Sequence, residues 1–293
     1  MPELFLTISL AIFGLILGSF AGATVWRLRA RQLLFDKKHG EKVDAKEWKR
    51  LQPLTRQKLR SDRSRCLHCR YELRWYDLIP LFSWLSLKGR CRQCRHKIGG
   101  FEPLIELAMA TLFVVSYLVW PMPLIDPLST AVFVVWLIAC VVLIILAAYD
   151  LKWFLLPDSL SLLLTILGAA SVVLTMIQLG DVWNPLWNAI GAVGILSGLY
   201  LVLYIVSRGR WIGFGDVKLG VGLGLLLGDW QLAFLALFLA NLIGCFVTIP
   251  LMAAGKLQRT SHVPFGPLLI AGMIIAKFTG LAILSWYLST FSF

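Results

Sequence analysis

A series of long apolar runs constrains this chain more than any other feature of its sequence. Crossing about 30 Å of hydrocarbon takes roughly 20 helical residues. Seven runs meet this requirement: Leu4 to Val25, Pro103 to Trp120, Ser129 to Tyr149, Ser159 to Gln178, Asn188 to Val206, Gln231 to Met252 and Phe265 to Leu288. With a mean hydropathy of +0.77 and only 15% charged residues, the composition is that of a membrane protein.

A further apolar run, Leu219 to Gly228, is too short to cross the bilayer alone. As a helix, the segment from Val217 to Gly228 rises only about 18 Å. A crossing here must therefore borrow residues from the preceding segment, Gly213 to Asp216. These runs together predict an all-α polytopic membrane protein with about eight transmembrane helices.

Basic residues concentrate between alternate runs. Eight crossings place segments 27–100, 150–158, 207–218 and 253–264 on one side, and these contain 27 of the 28 Lys and Arg residues. The positive-inside rule makes this side cytoplasmic and both termini external. The first run carries Glu3 before it and its arginines after it, which is typical of a retained helix and not of a cleaved signal peptide.

The segment from Arg27 to Lys97 holds 21 basic and 7 acidic residues. Such a loop favours contact with anionic lipid headgroups; a nucleic-acid partner is conceivable but not expected. We therefore divide the chain into a first transmembrane helix (1–26), a basic cytoplasmic module inserted between helices 1 and 2 (27–100) and a seven-helix membrane core (101–293).

Two CxxC pairs lie within the basic module. Cys66 with Cys69 and Cys91 with Cys94 have a spacing close to that of zinc ribbons, in which four thiolates surround Zn²⁺. Redox pairs or disulfides are the alternative, although a reducing cytosol argues against disulfides. A neighbouring histidine, His68 or His96, is a second alternative as a substitute ligand. We expect a structural zinc-ribbon-like site.

Two aspartates lie at the predicted cytoplasmic boundary of the membrane. Asp150 directly follows a 21-residue apolar span, and the short run draws Asp216 to the same depth on the same side. Two carboxylates close together hold one proton between them and can act as an acid and base pair. The simpler interpretation is that both are loop acids at helix ends. We predict that they are the catalytic pair of an aspartic membrane peptidase.

Five other residues are candidates for supporting this pair. Gly213 and Gly215 allow tight backbone conformations close to a substrate chain. Glu106 lies about one turn inside the second span, where it could line the same cavity, because ionisable groups in spans are functional candidates. Asp158 is either the start of the next helix or a third acid that tunes the pair. Lys218 lies two residues after Asp216 and is the fifth candidate for supporting the pair.

Several ordered motifs resemble those of the bacterial type IV prepilin peptidase family, from about Gly18 to Pro267. The motifs are Gly18-Ser19-Phe20 with Arg27-Leu28, Ile79 to Leu85 between the cysteine pairs, Pro103 to Glu106, Leu156-Pro157-Asp158, Gly213-Phe214-Gly215-Asp216 (GxGD) and Val263 to Pro267.

The resemblance implies a multi-pass enzyme of the bacterial inner membrane with both termini periplasmic. Such an enzyme cleaves the basic leader of type IV prepilins or type II secretion pseudopilins at the cytoplasmic face. It then N-methylates the new N-terminus with S-adenosylmethionine. Carried over by position, Asp150 and Asp216 are the catalytic aspartates and the four cysteines are the zinc ligands. Because the basic module does not complement a basic leader, we expect acids such as Glu106 or Asp158 to bind it.

Two other functions fit parts of the sequence. One is a presenilin-like GxGD intramembrane protease, although the residues before the last span, Val263 to Pro267, lack the PAL motif. The other is a non-enzymatic membrane scaffold or transporter in which the acids bind ions or protons. No HExxH zinc-protease motif is present in the sequence.

Overall fold

The computed structural model describes residues 2–55, 63–121, 123–256, 258 and 263–291, and it confirms the all-α fold. The helices within these residues are α1 (Pro2–Lys38), α2 (Ala45–Leu51), α3 (Phe82–Ser86), α4 (Phe101–Leu118), α5 (Pro127–Trp153), α6 (Asp158–Leu179), α7 (Trp183–Val193), α8 (Leu199–Ser207), α9 (Phe214–Leu227), α10 (Trp230–Ala253) and α11 (Gly266–Phe291). They form two compact units, Met1–Leu118 and Val119–Phe293.

Seven helices in the described part of the chain are long and apolar enough to cross a membrane. Six are single helices, and the seventh joins α7 and α8 through a π-helical turn at Gly194–Gly198. The predicted eighth crossing is α9, which has 14 residues and rises about 21 Å. Its length falls short of the hydrocarbon thickness of about 30 Å. The chain is therefore a multi-pass membrane protein that contains one short internal helix.

The first unit is built on the antiparallel packing of α1 and α4. A methyl group on Gly18 would lie 2.5 Å from the Cα of Glu106, and one on Gly14 would lie 2.7 Å from the Cα of Ala110. Glycines four residues apart therefore let the two backbones touch, as small-residue faces do between membrane helices. Beyond its apolar part, α1 continues to Lys38, where α2 folds back on it.

The cysteine module of the first unit consists of two short turns and α3. One turn spans Cys66–Cys69 and the other Cys91–Cys94, with α3 between them. The first unit contains α1, this module and α4. The division of the chain at residues 26 and 100 into three functional parts stays a prediction.

The second unit surrounds the short helix α9. This helix packs against α6, α7 and the π-helical turn. A methyl group on Gly220 would lie 2.5 Å from the backbone oxygen of Leu196, and one on Gly224 would lie 2.8 Å from the backbone nitrogen of Val193. Glycine-mediated contact buries α9 and sets the position of the residues at its ends.

Candidate active site

Asp150 lies in the last turn of α5, one turn before the helix ends. The helix stops at Phe154, which has a left-handed conformation (φ 55°, ψ 37°) and donates its backbone N–H to the oxygen of Asp150. The Asp150 side chain is only 5% exposed. Its Oδ2 accepts a hydrogen bond of 3.0 Å from the backbone N–H of Gly266 at the start of α11. The structure thus places this carboxylate inside the helix bundle and not in a solvated loop.

Asp216 lies in the first turn of α9. The helix begins after Gly213, whose extended conformation (φ −76°, ψ 147°) makes it the N-cap residue. The backbone N–H of Gly213 donates to the Asp216 carboxylate, and the Asp216 N–H donates to the Gly213 oxygen at 3.1 Å. A carboxylate in the first turn is also favoured by the helix dipole. The GxGD segment therefore forms a local cap that fixes the carboxylate.

The second unit brings the two aspartates together. Leu156, from the segment that follows α5, packs against both Gly215 and Gly266: methyl groups on these glycines would lie 3.2 Å and 3.5 Å from its side chain. One glycine precedes Asp216, and the other donates to Asp150. The Asp216 carboxylate is close enough for its charge to act on Asp150. Two helix ends thus present one pair of interacting carboxylates.

Asp158 and Lys218 form an ion pair next to this site. Lys218 Nζ lies 2.8 Å from Asp158 Oδ1, and the Asp158 side chain is 75% exposed. The pair links the first residue of α6 to the second turn of α9. Asp158 is thus the first residue of α6 and is paired with a cation at the surface.

Glu106 belongs to the first unit, where it binds the cysteine module. Its side chain is 6% exposed, and Oε2 accepts a hydrogen bond of 2.8 Å from the backbone N–H of Leu81. Leu81 has a left-handed φ of 57°, so the carboxylate holds a strained loop against α4. This contact gives Glu106 a structural partner within the first unit.

Sequence reasoning assigned no role to two residues at the pair. Gly266 belongs to the motif Val263 to Pro267. Its hydrogen bond to Asp150 joins residues 116 positions apart, a distance over which the sequence gives no sign of contact. Tyr200 is 3% exposed, interacts electrostatically with Asp216 and packs its ring on Phe265 at 5.4 Å. The sequence carries no signal for Tyr200, because it lies within an apolar run.

Lys277, the ionisable group inside the last span, lies away from the pair. Its Nζ donates to the backbone oxygen of Leu226 at 3.0 Å and lies over the rings of Trp120 and Trp136. Leu226 is ten residues along α9 from Asp216, or about 15 Å. Lys277 therefore binds the opposite end of that helix.

The four cysteines form one cluster. Their sulfur atoms all lie within 4.8 Å of one another, and the Cys66–Cys94 and Cys69–Cys91 pairs are each 3.9 Å apart. The two CxxC turns have the same backbone hydrogen bonds: Arg70 donates its N–H to Cys66 O, and Arg95 donates its N–H to Cys91 O. Both arginines have a positive φ. These separations show free thiols and not disulfides.

The cluster fits a tetrahedral metal ion. Zn–S bonds of about 2.3 Å place tetrahedral sulfur atoms about 3.8 Å apart, close to the two 3.9 Å pairs. The flanking rings of His68 and His96 stack on each other, with centroids 4.2 Å apart, and are not part of the cluster. The four thiols thus could hold a metal ion without a histidine.

The thiols of the cluster differ in acidity. Burial raises the pKa of the Cys66 thiol to about 12. Although burial alone would also raise the pKa of Cys91, hydrogen bonds from the backbone N–H groups of Cys94 and Gln93 contribute to lowering it to about 7. Metal binding requires deprotonated thiols, so loading this cluster releases protons.

Comparison with known proteins covers both units. The Bacterial Peptidase A24 N-terminal domain matches residues 12–120, and the Type IV leader peptidase family matches residues 137–249. No solved structure matches the chain. Both aspartates of the pair fall within the second match, and the four cysteines fall within the first.

Curated relatives match over most of their length. A prepilin leader peptidase/N-methyltransferase of Aeromonas hydrophila is 32% identical, over 96% of this chain and 93% of the relative. A type 4 prepilin-like proteins leader peptide-processing enzyme of Escherichia coli O78:H11 is 35% identical over 89% of each chain. A prepilin leader peptidase/N-methyltransferase of Bacillus subtilis is 32% identical, over 77% of this chain and 85% of the relative. This chain belongs to the type IV leader peptidase family.

Proposed function

We propose that this enzyme cleaves the leader peptide of type IV prepilins or type II secretion pseudopilins and then N-methylates the new N-terminus. The observation that carries this proposal is the carboxylate pair of Asp150 and Asp216. Two helix ends hold it at one site, and it lies in the part of the chain that matches the leader peptidase family.

We assign peptide hydrolysis to these two carboxylates. Two interacting carboxylates hold one proton between them, since both cannot be charged at close range without cost. The ionised carboxylate takes a proton from water, which attacks the scissile carbonyl carbon. The protonated carboxylate donates to the departing amine, and the pair then holds one proton again. Backbone N–H groups of Gly266 and Gly213 orient the two carboxylates throughout.

We propose Asp158 as the acid that contacts the basic leader. It is the more accessible of the two predicted acids, because Glu106 is 6% exposed and bonds to Leu81. Lys218, its present partner, is 37% exposed, and exposed ion pairs exchange partners at little cost. Charge reversal at Asp158 would weaken leader binding and raise KM; an unchanged KM would refute this role.

We propose a structural zinc ion in the four-cysteine cluster. Four thiolate ligands in a closed tetrahedral set leave no open position for catalysis. Cys66, Cys69, Cys91 and Cys94 would bind the ion, which would tie the two CxxC turns together. Its role is to stabilise a small module that contains little apolar core of its own.

We propose S-adenosylmethionine as the methyl donor on the strength of the family. A cavity of about 590 Å³ in the first unit is lined in part by Arg27 and Arg31. Two guanidinium groups do not complement the sulfonium cation of this donor. We therefore assign no residue to donor binding.

We propose that the enzyme lies in the bacterial inner membrane with the cysteine module in the cytoplasm and both termini in the periplasm. Seven long helices and the short α9 give eight passes, and the basic residues fall on one side of them. In this orientation the module faces anionic headgroups, and no nucleic acid is needed to account for its charge.

The central experiment follows leader cleavage and methyl transfer together. Purified enzyme is incubated with a prepilin and S-adenosylmethionine labelled in the methyl group, for the wild type and for Asp150→Asn and Asp216→Asn. We expect both substitutions to abolish cleavage while the fold is retained. The matched control is Asp229→Asn, because Asp229 caps α10 and asparagine caps a helix equally well.

Each outcome separates the hypotheses. Cleavage that survives both Asn substitutions would end the aspartic-peptidase assignment and favour a scaffold or transporter. Cleavage without label transfer would leave the peptidase in place and remove the methyltransferase. Cleavage within the membrane span of the substrate, in place of the leader boundary, would favour a presenilin-like protease.

A further inference from the structure

One face of α1 forms the floor of a groove in the first unit. Along this face the side chains change from apolar to cationic. Ile16 and Phe20 are 52% and 55% exposed. Thr24 follows one turn later, and Arg27 and Arg31 follow in the next two turns. All five residues line the 590 Å³ cavity of the first unit. The groove therefore has an apolar end and a positively charged end.

The segment that carries the first CxxC turn forms the wall of this groove. Ser64, Leu78 and Pro80 line the cavity opposite α1. Pro80 precedes Leu81, whose N–H is fixed by the buried carboxylate of Glu106. The wall is thus anchored to α4, and the groove is a built feature of the unit.

The length of the groove matches one leaflet of a bilayer. Ile16 and Arg31 are 15 residues apart on α1, which corresponds to about 22 Å of helix. One leaflet with its headgroups is about 20–22 Å thick, half of a bilayer of about 40–45 Å. An amphiphile lying along α1 would place its tail on Ile16 and Phe20 and its headgroup between the arginines.

The charge of the headgroup follows from the arginines. Arg31 has no acidic partner among the residues that the structure describes, whereas Arg29, on another face of α1, is paired with Glu47 at 2.7 Å. Guanidinium groups bind phosphate oxygens through paired N–H donors. The apolar floor, the positive charge and the length of the groove all fit an amphiphile with an anionic phosphate headgroup.

We propose that this groove is a binding site for an anionic phospholipid of the inner leaflet, with the phosphate held by Arg27 and Arg31. The inference rests on the proposed orientation of the module, which places its cationic end at the cytoplasmic membrane surface. Its consequence is that lipid binding holds the module at a fixed height above the membrane, independently of leader cleavage.

Native mass spectrometry of the full-length protein tests this site. The protein is purified in detergent and titrated with phosphatidylglycerol or phosphatidylcholine, and the bound lipids are counted. We expect tighter retention of phosphatidylglycerol. The double substitution Arg27→Gln with Arg31→Gln should weaken this binding on the order of 30-fold, at the usual contribution of a basic residue to anionic-lipid binding. The pair Arg27→Lys with Arg31→Lys retains the charge and should lose less.

The control removes the same charge elsewhere on the module. Lys38 and Lys42 are exposed, and neither lines the groove. Lys38→Gln with Lys42→Gln should change phosphatidylglycerol binding by no more than about 2-fold, since general attraction alone is altered. Equal losses in the two glutamine double variants, or equal retention of the two lipids, would overturn the proposal.

A competition experiment separates a lipid from a free phosphate. In about 0.15 M salt, a physiological ionic strength that screens weak contacts, inorganic phosphate at about 10 mM should leave phosphatidylglycerol bound, because the tail contributes contacts that the ion lacks. Displacement by phosphate alone would overturn the lipid assignment and identify an anion site. Since the readout is lipid retention, its failure is distinct from a loss of prepilin cleavage.

Discussion

Replacement of Gly220 by alanine perturbs the candidate active site from a distance. Gly220 lies one turn after Asp216 on α9 and touches the π-helical turn. A methyl group there would lie 2.5 Å from the oxygen, 2.9 Å from the carbonyl carbon of Leu196 and 3.0 Å from the Cα of Ser197. All three are backbone atoms, so a side-chain rotation relieves none of the contacts. The helices themselves must move apart.

The required movement sets the size of the effect. Contacts between carbon atoms are optimal at about 3.5–4.0 Å, so α9 must shift by about 1 Å. Overpacking of this kind costs about 1–3 kcal/mol of stability. A 1 Å misplacement of a catalytic group lowers a rate by up to about 100-fold. Since Asp216 is one turn away, we expect Gly220→Ala to reduce prepilin cleavage by about 10-fold to 100-fold.

The assay combines thermal unfolding in detergent with the initial rate of leader cleavage. Gly194→Ala is the matched control, because Gly194 belongs to the same π-helical turn and a methyl group there meets nothing within 4 Å. Alanine should retain or slightly raise stability at that position, by up to about 1 kcal/mol. If Gly220→Ala cleaves and unfolds like the wild type, the close packing does not position Asp216.

Three further experiments test other parts of the molecule. Gly266→Ala would place a methyl group 2.7 Å from Asp150 Oδ2, so cleavage should fall at least about 10-fold with little change in Tm; a wild-type rate would show that this contact is dispensable. Cys91→Ser should remove the bound metal, measured by elemental analysis, and lower the Tm of the first unit, whereas serine at the exposed cysteine of α10 should change neither. In a double-mutant cycle, Lys218→Met and Asp158→Asn should show a coupling energy below about 1 kcal/mol, because the ion pair is exposed; a larger value would mean that the pair is structural.

Features set by local sequence could be predicted before the structure was known. Apolar run length gave the seven long helices, and two CxxC pairs gave a four-cysteine cluster, because each signal lies within a few residues. The shortness of the run after Asp216 likewise gave a helix that borrows its first turn from the GxGD segment. In each case a physical requirement, such as bilayer thickness or ligand number, acts on contiguous residues.

Features set by long-range contacts could not be predicted. The hydrogen bond from Gly266 to Asp150 joins residues 116 positions apart. Glu106 takes its hydrogen-bond partner, Leu81, from a loop 25 residues before it. Tyr200 reaches Asp216 from an apolar run that shows no polar pattern. Helix packing decides which of these groups meet, and a single sequence does not reveal that packing.

The short helix α9 explains how one carboxylate is fixed within the bundle. A helix shorter than the hydrocarbon thickness has its terminal N–H and C=O groups inside the helix bundle and away from water, and each needs a partner. At the first end, the Gly213 N–H donates to the Asp216 carboxylate; at the last end, Lys277 donates to the oxygen of Leu226. An anion at the N-terminus and a cation at the C-terminus both complement the helix dipole. Because Lys277 belongs to α11, which also begins with the Gly266 that binds Asp150, one long helix holds both the far end of α9 and the second carboxylate. Through these two contacts, α11 links Asp150 to the helix that carries Asp216.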